Sequence, residues 1–401
     1  MTAVPPRPPA PTVLIAPDKF KGSLSAADVA DALSLGITET APRATVLRCP
    51  IADGGDGTVD AAIAAGAQPR ITTATGPTGE LRPAQWALHG DDAVVELAEV
   101  VGLRALLGGT LAPRTASTRG LGELILAAVD AGARTITVGL GGSSSTDAGA
   151  GMLQGLGARL RTSAGLEIGP GLDGVATLAS VDLGPARAAL DGVTLVAASD
   201  VTNPLLGPDG AAAVYGPQKG LSAADIEHAD GILARAAALL DPEHTRLDLP
   251  GAGAAGGTGY ALFLLGAEQR SGADAVFELA GVDGLLERAD VVITGEGKLD
   301  AQTLQGKGPA EVARRARDRG LPVAAVAGAI TLSAHELREA GITRAWDLLS
   351  RAGSAQQAME NAPVWLVEVG RDVGGWLSSG SVSDSGDGDA SSAPDAEPGR
   401  T

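Results

Sequence analysis

Short apolar runs alternate along this chain with segments whose apolar positions recur at helical spacing. Thr12 to Ala16 precedes Ala26 to Gly36, Ala44 to Leu47 precedes Val59 to Ala65, and Thr135 to Leu140 precedes Ala150 to Leu160. That alternation predicts βαβ units and a mainly parallel sheet. Thr194 to Ala198, Asp290 to Thr294 and Pro322 to Ala327 read as further strands, the last leading through Gly328 to a helix that starts near Ser333. Ser25, with Asp28 three residues on, and Thr58 stand where helix N-caps are needed.

The segment Ile71 to Val101 breaks the pattern, because TTATGPTGELRPAQWAL and DDAVVELAEV predict an antiparallel pair around a turn. A change of sheet type there marks a domain boundary, and the closing strand-loop-helix units resemble the opening ones. We therefore expect residues 12–75 and 283–377 to form one discontinuous α/β domain, with residues 76–282 inserted as a second. Residues 1–11 are too proline-rich to pack, and 378–401 are too polar and acidic, so both ends are expected to be disordered.

Composition narrows the function classes. Aromatic residues make up 2% of the 401 residues, so Ala, Val, Leu and Ile must fill the core, while 57 glycines supply loops and close packing. The net charge of −18 opposes partnership with nucleic acid or an anionic membrane, yet leaves phosphate chemistry open, since a site needs only a few local cations. The single cysteine, Cys49, has no internal disulfide partner, and the opening MTAVPPRPPAP lacks the apolar stretch of a signal peptide, so a cytoplasmic protein is expected. The four histidines are scattered without metal-ligand spacing, and neither a G-x-S-x-G elbow nor a C-x-x-C pair occurs.

Five glycine-rich loops follow strand-like runs and carry the candidate chemistry. APDKFKGSLSA offers Lys19 and Lys21 ahead of a capped helix, a setting for phosphate or carboxylate. PIADGGDGT places Asp53 and Asp56 where they could share a cation, although aspartates in glycine turns are also common structural elements. GLGGSSSTDAGAGM gathers Ser143, Ser144, Ser145, Thr146 and Asp147, whose hydroxyls and amides could cradle phosphate oxygens. It is neither a Walker A motif nor the dinucleotide fingerprint. SDVTNPLLGPDGAAAVYGPQKG begins at Asp200 and runs through Asn203 to Lys219, and TGEGKLDAQTLQGKGP carries Glu296, Lys298, Asp300, Thr303 and Lys307. GAGAAGGTG at 251–259 adds a further flexible or closely packed element.

These five long motifs, in this order, resemble the bacterial type I glycerate kinases over about residues 12–375. The resemblance implies phosphorylation of D-glycerate by ATP with magnesium, typically at the 2-hydroxyl. It also implies two α/β domains, a Rossmann- or flavodoxin-like mainly parallel sheet domain and an inserted one, with the active site in the cleft. In that frame Ser143 to Asp147 and Lys298 are expected to hold ATP phosphates, and Asp56, Asp200, Glu296 and Asp300 to serve the metal. Lys19 or Arg119 would bind the glycerate carboxylate, with Lys21 and Asn203 also on the substrate. Asp53 or Asp200 would take the proton of the attacking hydroxyl. Arg119 marks a departure, because ASTRGLGELI has an arginine where the family more often shows an aromatic in a Thr-rich run. A monomer or homodimer is expected. A kinase of another small hydroxy acid and a non-catalytic nucleotide or glycerate sensor are the rival readings.

Overall fold

The computed structural model describes residues 10–52, 54–305 and 308–379. Asp53, Lys307 and the segments 1–9 and 380–401, which hold most of the predicted disorder, lie outside the described residues.

Strands β1 (Thr12–Pro17) and β2 (Thr45–Arg48) open a first sheet, and the chain then leaves it. β3 (Gln68–Thr75), β4 (Leu81–His89), β5 (Asp92–Glu96) and β6 (Thr135–Gly139) build one side of a second sheet; β7 (Arg159–Arg161) and β8 (Ser180–Asp182) form a small antiparallel pair. β9 (Thr194–Ala198) and β10 (Glu268–Arg270) complete the second sheet in the order β10-β9-β6-β5-β4-β3. The chain returns to the first sheet with β11 (Val291–Leu299), β12 (Val323–Ile330) and β13 (Ile342–Asp347), in the order β13-β12-β11-β1-β2.

Every ladder of the first sheet is parallel, with Val13 opposite both Val291 and Val46. β1 is apolar from Val13 to Pro17 because helices cover both its faces. Leu14 and Ala16 join a core with Val292, Val312 and Phe277, whereas Val13 and Ile15 join another with Leu33, Ile293 and Val369. That split is the two-residue period of a strand. The second sheet is antiparallel through β3, β4 and β5 and parallel from β5 to β10. Its largest core gathers Leu121, Leu124 and Ile125 with Leu153 and Tyr260. The antiparallel hairpin expected between Ile71 and Val101 is β3–β4.

Three local expectations are corrected. The helix read from Ala150 to Leu160 stops at Gly155, and the chain turns into β7. The strand read as Asp290 to Thr294 runs on to Leu299, so Glu296 and Lys298 belong to a paired strand, with Lys298 opposite Ala329. Ser25 forms the predicted capping box with Asp28, but Thr58 is the first helical residue and Gly57 the N-cap, without a side-chain cap of its own.

Candidate functional site

The segment after β2 carries the chain from the first sheet to the second. Cys49 and Ile51 donate to the Ile15 and Pro17 carbonyls, extending the pairing with β1 to the start of the glycine turn. Gly54 and its neighbours then cross the carboxyl ends of β5, β6 and β9. A Cβ on Gly54, at φ +79°, would stand 2.3 Å from Gly272 Cα, and one on Gly141 would stand 2.4 Å from Gly55 Cα. Only glycine permits such backbone contact. Ligands of open α/β sheets bind outside the carboxyl ends of their strands, and here two sets of such ends meet.

Two clefts flank the loop after β1. The first, about 510 Å³, is lined by Lys19, Lys21, Lys298, Glu296 and Asp300, with Leu348, Leu349 and Met359 as an apolar wall. The second, about 530 Å³, is lined by Lys19, Lys21, Asp56, Asp60, Glu99 and Arg104. Asp18 and Lys19 line both. Lys19 Nζ donates to the Asp56 carbonyl, and the Asp56 carboxylate pairs with Arg104, whose side chain is 71% exposed. Lys298 pairs with Asp300 at 3.1 Å, and Thr303 Oγ1 donates to Glu296 at 2.5 Å. Partial burial, reinforced by neighbouring acids, raises the Asp60 and Glu99 carboxyls above their usual range.

Glu96, at the end of β5, is 1% exposed and accepts from Gly57 N at 3.0 and 3.1 Å and from Val59 N at 3.2 Å. It thus supplies the cap that the helix Thr58–Ala64 lacks. Burial pushes its carboxyl up to about 8, against the pull of those N–H groups.

The hydroxyl-rich loop turns inward rather than toward a cleft. Ser143 to Asp147 are all at most 5% exposed. Ser144 Oγ donates to the Val101 carbonyl at 2.7 Å, and Asp147 accepts from Thr118 N, Thr118 Oγ1, Gly149 N and Gly151 N. Lys219, 2% exposed, donates to the Ser145 carbonyl at 2.6 Å and reaches Ser143 Oγ at 3.4 Å. Burial lowers its ammonium from 10.5 to about 7, partly offset by Asp147. Burial likewise raises the Asp147 carboxyl, and its four donors oppose the shift.

The remaining expected residues stand apart from the clefts. Asp200 accepts from Ser271 Oγ and Gly272 N, both at 2.9 Å, and so caps the helix Gly272–Leu279. Asn203 accepts from the Tyr215 hydroxyl and donates to the Asp209 carbonyl, bracing its own loop. Arg119 pairs with Glu123, which in turn holds Thr75. Among the described residues no three His, Cys, Asp or Glu side chains form a metal-binding group, so Asp56, Asp200, Glu296 and Asp300 do not gather as one ligand set. Glu296 and Asp300 do share the first cleft, and a magnesium ion that keeps its waters and binds substrate phosphates needs only one or two protein carboxylates. Cys49 is buried and its thiol is pushed up to about 12, in keeping with the absence of a nucleophile's setting. Arg104 and Glu96 were not foreseen from the sequence.

The fold and clefts define an α/β protein with a charged, two-part site at the carboxyl ends of two sheets. Its sequence matches the family model of the glycerate kinase family over residues 13–378. It is 40% identical to a Bacillus subtilis (strain 168) protein named glycerate kinase, covering 90% of this chain and 96% of that one. It is also 40% identical to an Escherichia coli K12 protein named glycerate 2-kinase, covering 92% and 98%. A crystal structure of a Salmonella typhimurium LT2 protein, provisionally designated glycerate kinase 2, superposes with a TM-score of 0.80 at 39% identity, covering 92% of this chain and 99% of that one. The chain belongs to the glycerate kinase family, a family of kinases. Among the described residues no helix is long and apolar enough to cross a membrane.

Proposed function

We propose that the protein transfers the γ-phosphoryl group of ATP to the 2-hydroxyl of D-glycerate, giving 2-phosphoglycerate and ADP. The observation that carries this reading is the similarity, along nearly the whole chain, to the relative named glycerate 2-kinase. Phosphoryl transfer asks a protein for positioning and charge neutralisation rather than covalent chemistry, and the two clefts suit that demand.

In this reading the apolar wall of the first cleft receives the adenine, while Lys298 and Lys21 neutralise the phosphates. Magnesium, held through Glu296 and Asp300, would add positive charge on the phosphate oxygens. Lys19 lines both clefts and so faces the group in flight. Arg104 exchanges its bond with Asp56 for the glycerate carboxylate, a pairing suited to a guanidinium fork. Asp18, beside Lys19 and lining both clefts, takes the proton of the attacking hydroxyl; Asp53, which precedes Gly54 in the sequence, is the other candidate for that role. Asp200 and the Ser143–Asp147 loop support the site from behind. A monomer or homodimer is the expected assembly, and the single cysteine suits a cytoplasmic home.

The test is ADP release from MgATP by the purified protein, with and without D-glycerate, with product passed to enolase in the absence of phosphoglycerate mutase. Glycerate-dependent ADP with an enolase signal is the expected result. ADP without that signal would move the phosphoryl group to the 3-hydroxyl, and no glycerate-dependent ADP would overturn the reading.

A further inference from the structure

We infer that Glu96 is a positioning residue for this transfer: its buried carboxyl group pins the 54–59 backbone and thereby sets where Lys19 and Arg104 stand. The inference rests on the phosphoryl-transfer reading above. Three features point to it.

First, Glu96 joins the two sheets at the site. It ends β5 of the second sheet, and its oxygens take the N–H groups of Gly57 and Val59 on the segment arriving from the first. Its acceptor oxygens at that helix start also face the positive end of the peptide dipoles.

Second, the pinned backbone carries the partner of two of the cleft cations, Lys19 and Arg104. Asp56 precedes Gly57, its carbonyl accepts from Lys19 Nζ, and its carboxylate holds Arg104. A shift of this residue moves the partner of the phosphoryl-facing lysine and that of the carboxylate-facing arginine together.

Third, a fully buried acidic side chain is an expensive way merely to cap a short helix. Glu96 forms no ion pair with a described lysine or arginine, and Asp56 and Glu99 add like charge. A serine or threonine at the N-cap position would serve the helix at far lower desolvation cost. What a local cap could not supply is the link across to β5.

The test compares wild type with Glu96→Ala and Glu96→Gln, each normalised to its folded fraction by circular dichroism. Displacement of about 1 Å in positioning groups typically costs ~10² in rate, so Glu96→Ala is expected to lose about that much in kcat/KM for glycerate. KM for glycerate should rise and kcat fall, while KM for ATP stays within about two-fold, because the first cleft keeps its own cations. Glu96→Gln retains one acceptor oxygen and should recover part of the loss. Two results would overturn the inference: unchanged kinetics in Glu96→Ala, or a kcat that falls only with folded fraction while both KM values hold. If wild type itself shows no glycerate-dependent ADP, the functional reading fails instead. Amide exchange at Gly57 and Val59 then decides the tether, with faster exchange in Glu96→Ala supporting it and unchanged exchange refuting it.

Discussion

Replacing Lys219 with methionine should stabilise the protein at low pH and destabilise it at high pH. The ammonium is 2% exposed, and burial brings it from 10.5 to about 7. A fall of that size corresponds to about 4–5 kcal/mol between the charged and neutral forms. The sign follows from proton counting. Between pH 7 and 10.5 the unfolded lysine holds a proton that the folded one has released, so wild-type stability rises with pH through that window. Below pH 7 both states are protonated, and the native state carries the full cost of the buried charge. Methionine removes that cost but strands the Ser145 carbonyl, which receives the ammonium at 2.6 Å, at about 1–3 kcal/mol. Lys219→Met should therefore be more stable than wild type by about 1–4 kcal/mol at pH 6 and less stable by about 1–3 kcal/mol at pH 10.5.

Urea unfolding of both proteins, followed by circular dichroism from pH 6 to 10.5, measures this directly, and titrations common to the two cancel in the difference. A difference that stays flat between pH 7 and 10.5 would refute the reasoning, because it would mean that the ammonium is not desolvated in the folded state. The same variant bears on function. If it gains stability at pH 6 yet loses turnover, the buried charge is kept for the reaction at the expense of the fold.

Four further outcomes are expected. Arg104→Ala should raise KM for glycerate about 10-fold or more, the scale of a lost charge-assisted bond, with little change for ATP, in steady-state assays varying each substrate. Asp18→Asn should lower kcat by about 10²-fold or more if Asp18 takes the hydroxyl proton, and near-normal turnover would pass that role to Asp53. Gly54→Ala should destabilise by several kcal/mol, roughly 2–4, in urea unfolding, since its Cβ would fall 2.3 Å from Gly272 Cα at a positive φ. Cys49, buried with its thiol raised to about 12, should resist alkylation by iodoacetamide at pH 8 in the native protein and react on unfolding.

Most of the fold was legible because its signals are local. From Val13 to Pro17, β1 is an unbroken apolar run since both its faces are covered, and Ser25 meets its partner three residues on, within one turn of helix. Thr58 misled for the opposite reason: the carboxyl group that caps its helix arrives from β5, and nothing near Thr58 announces it. β11 looks shorter in the sequence because Gly295, Glu296 and Gly297 resemble a loop. Glycine stands at 295 because a Cβ there would meet the Val326 carbonyl of β12 at 1.9 Å. The density of hydroxyls in the serine loop suggests a ligand cradle, a property equally useful to a buried turn that must satisfy its own polar groups.

The site is harder to read than the loops that compose it, because its geometry is a relation between loops. Motif patterns isolate Lys19 and Asp56, each set in a glycine turn. They pass over Arg104 and Glu96, single charges embedded in the apolar stretch AVVELAEVVGLRAL, where spacing marks them only as interruptions. Yet Asp56 holds Lys19 through its carbonyl and Arg104 through its carboxylate, while Glu96 holds the next residue's N–H. One residue of the crossing loop thus joins a lysine from the first sheet's opening turn to an arginine following β5 of the second. A change at any of the four should propagate to the others, so the energies of paired substitutions at Glu96 and Arg104 should fail to add. A double-mutant cycle on kcat/KM for glycerate measures that coupling. Additivity within about 0.5 kcal/mol would mean that the two residues act independently and that the loop transmits nothing between them.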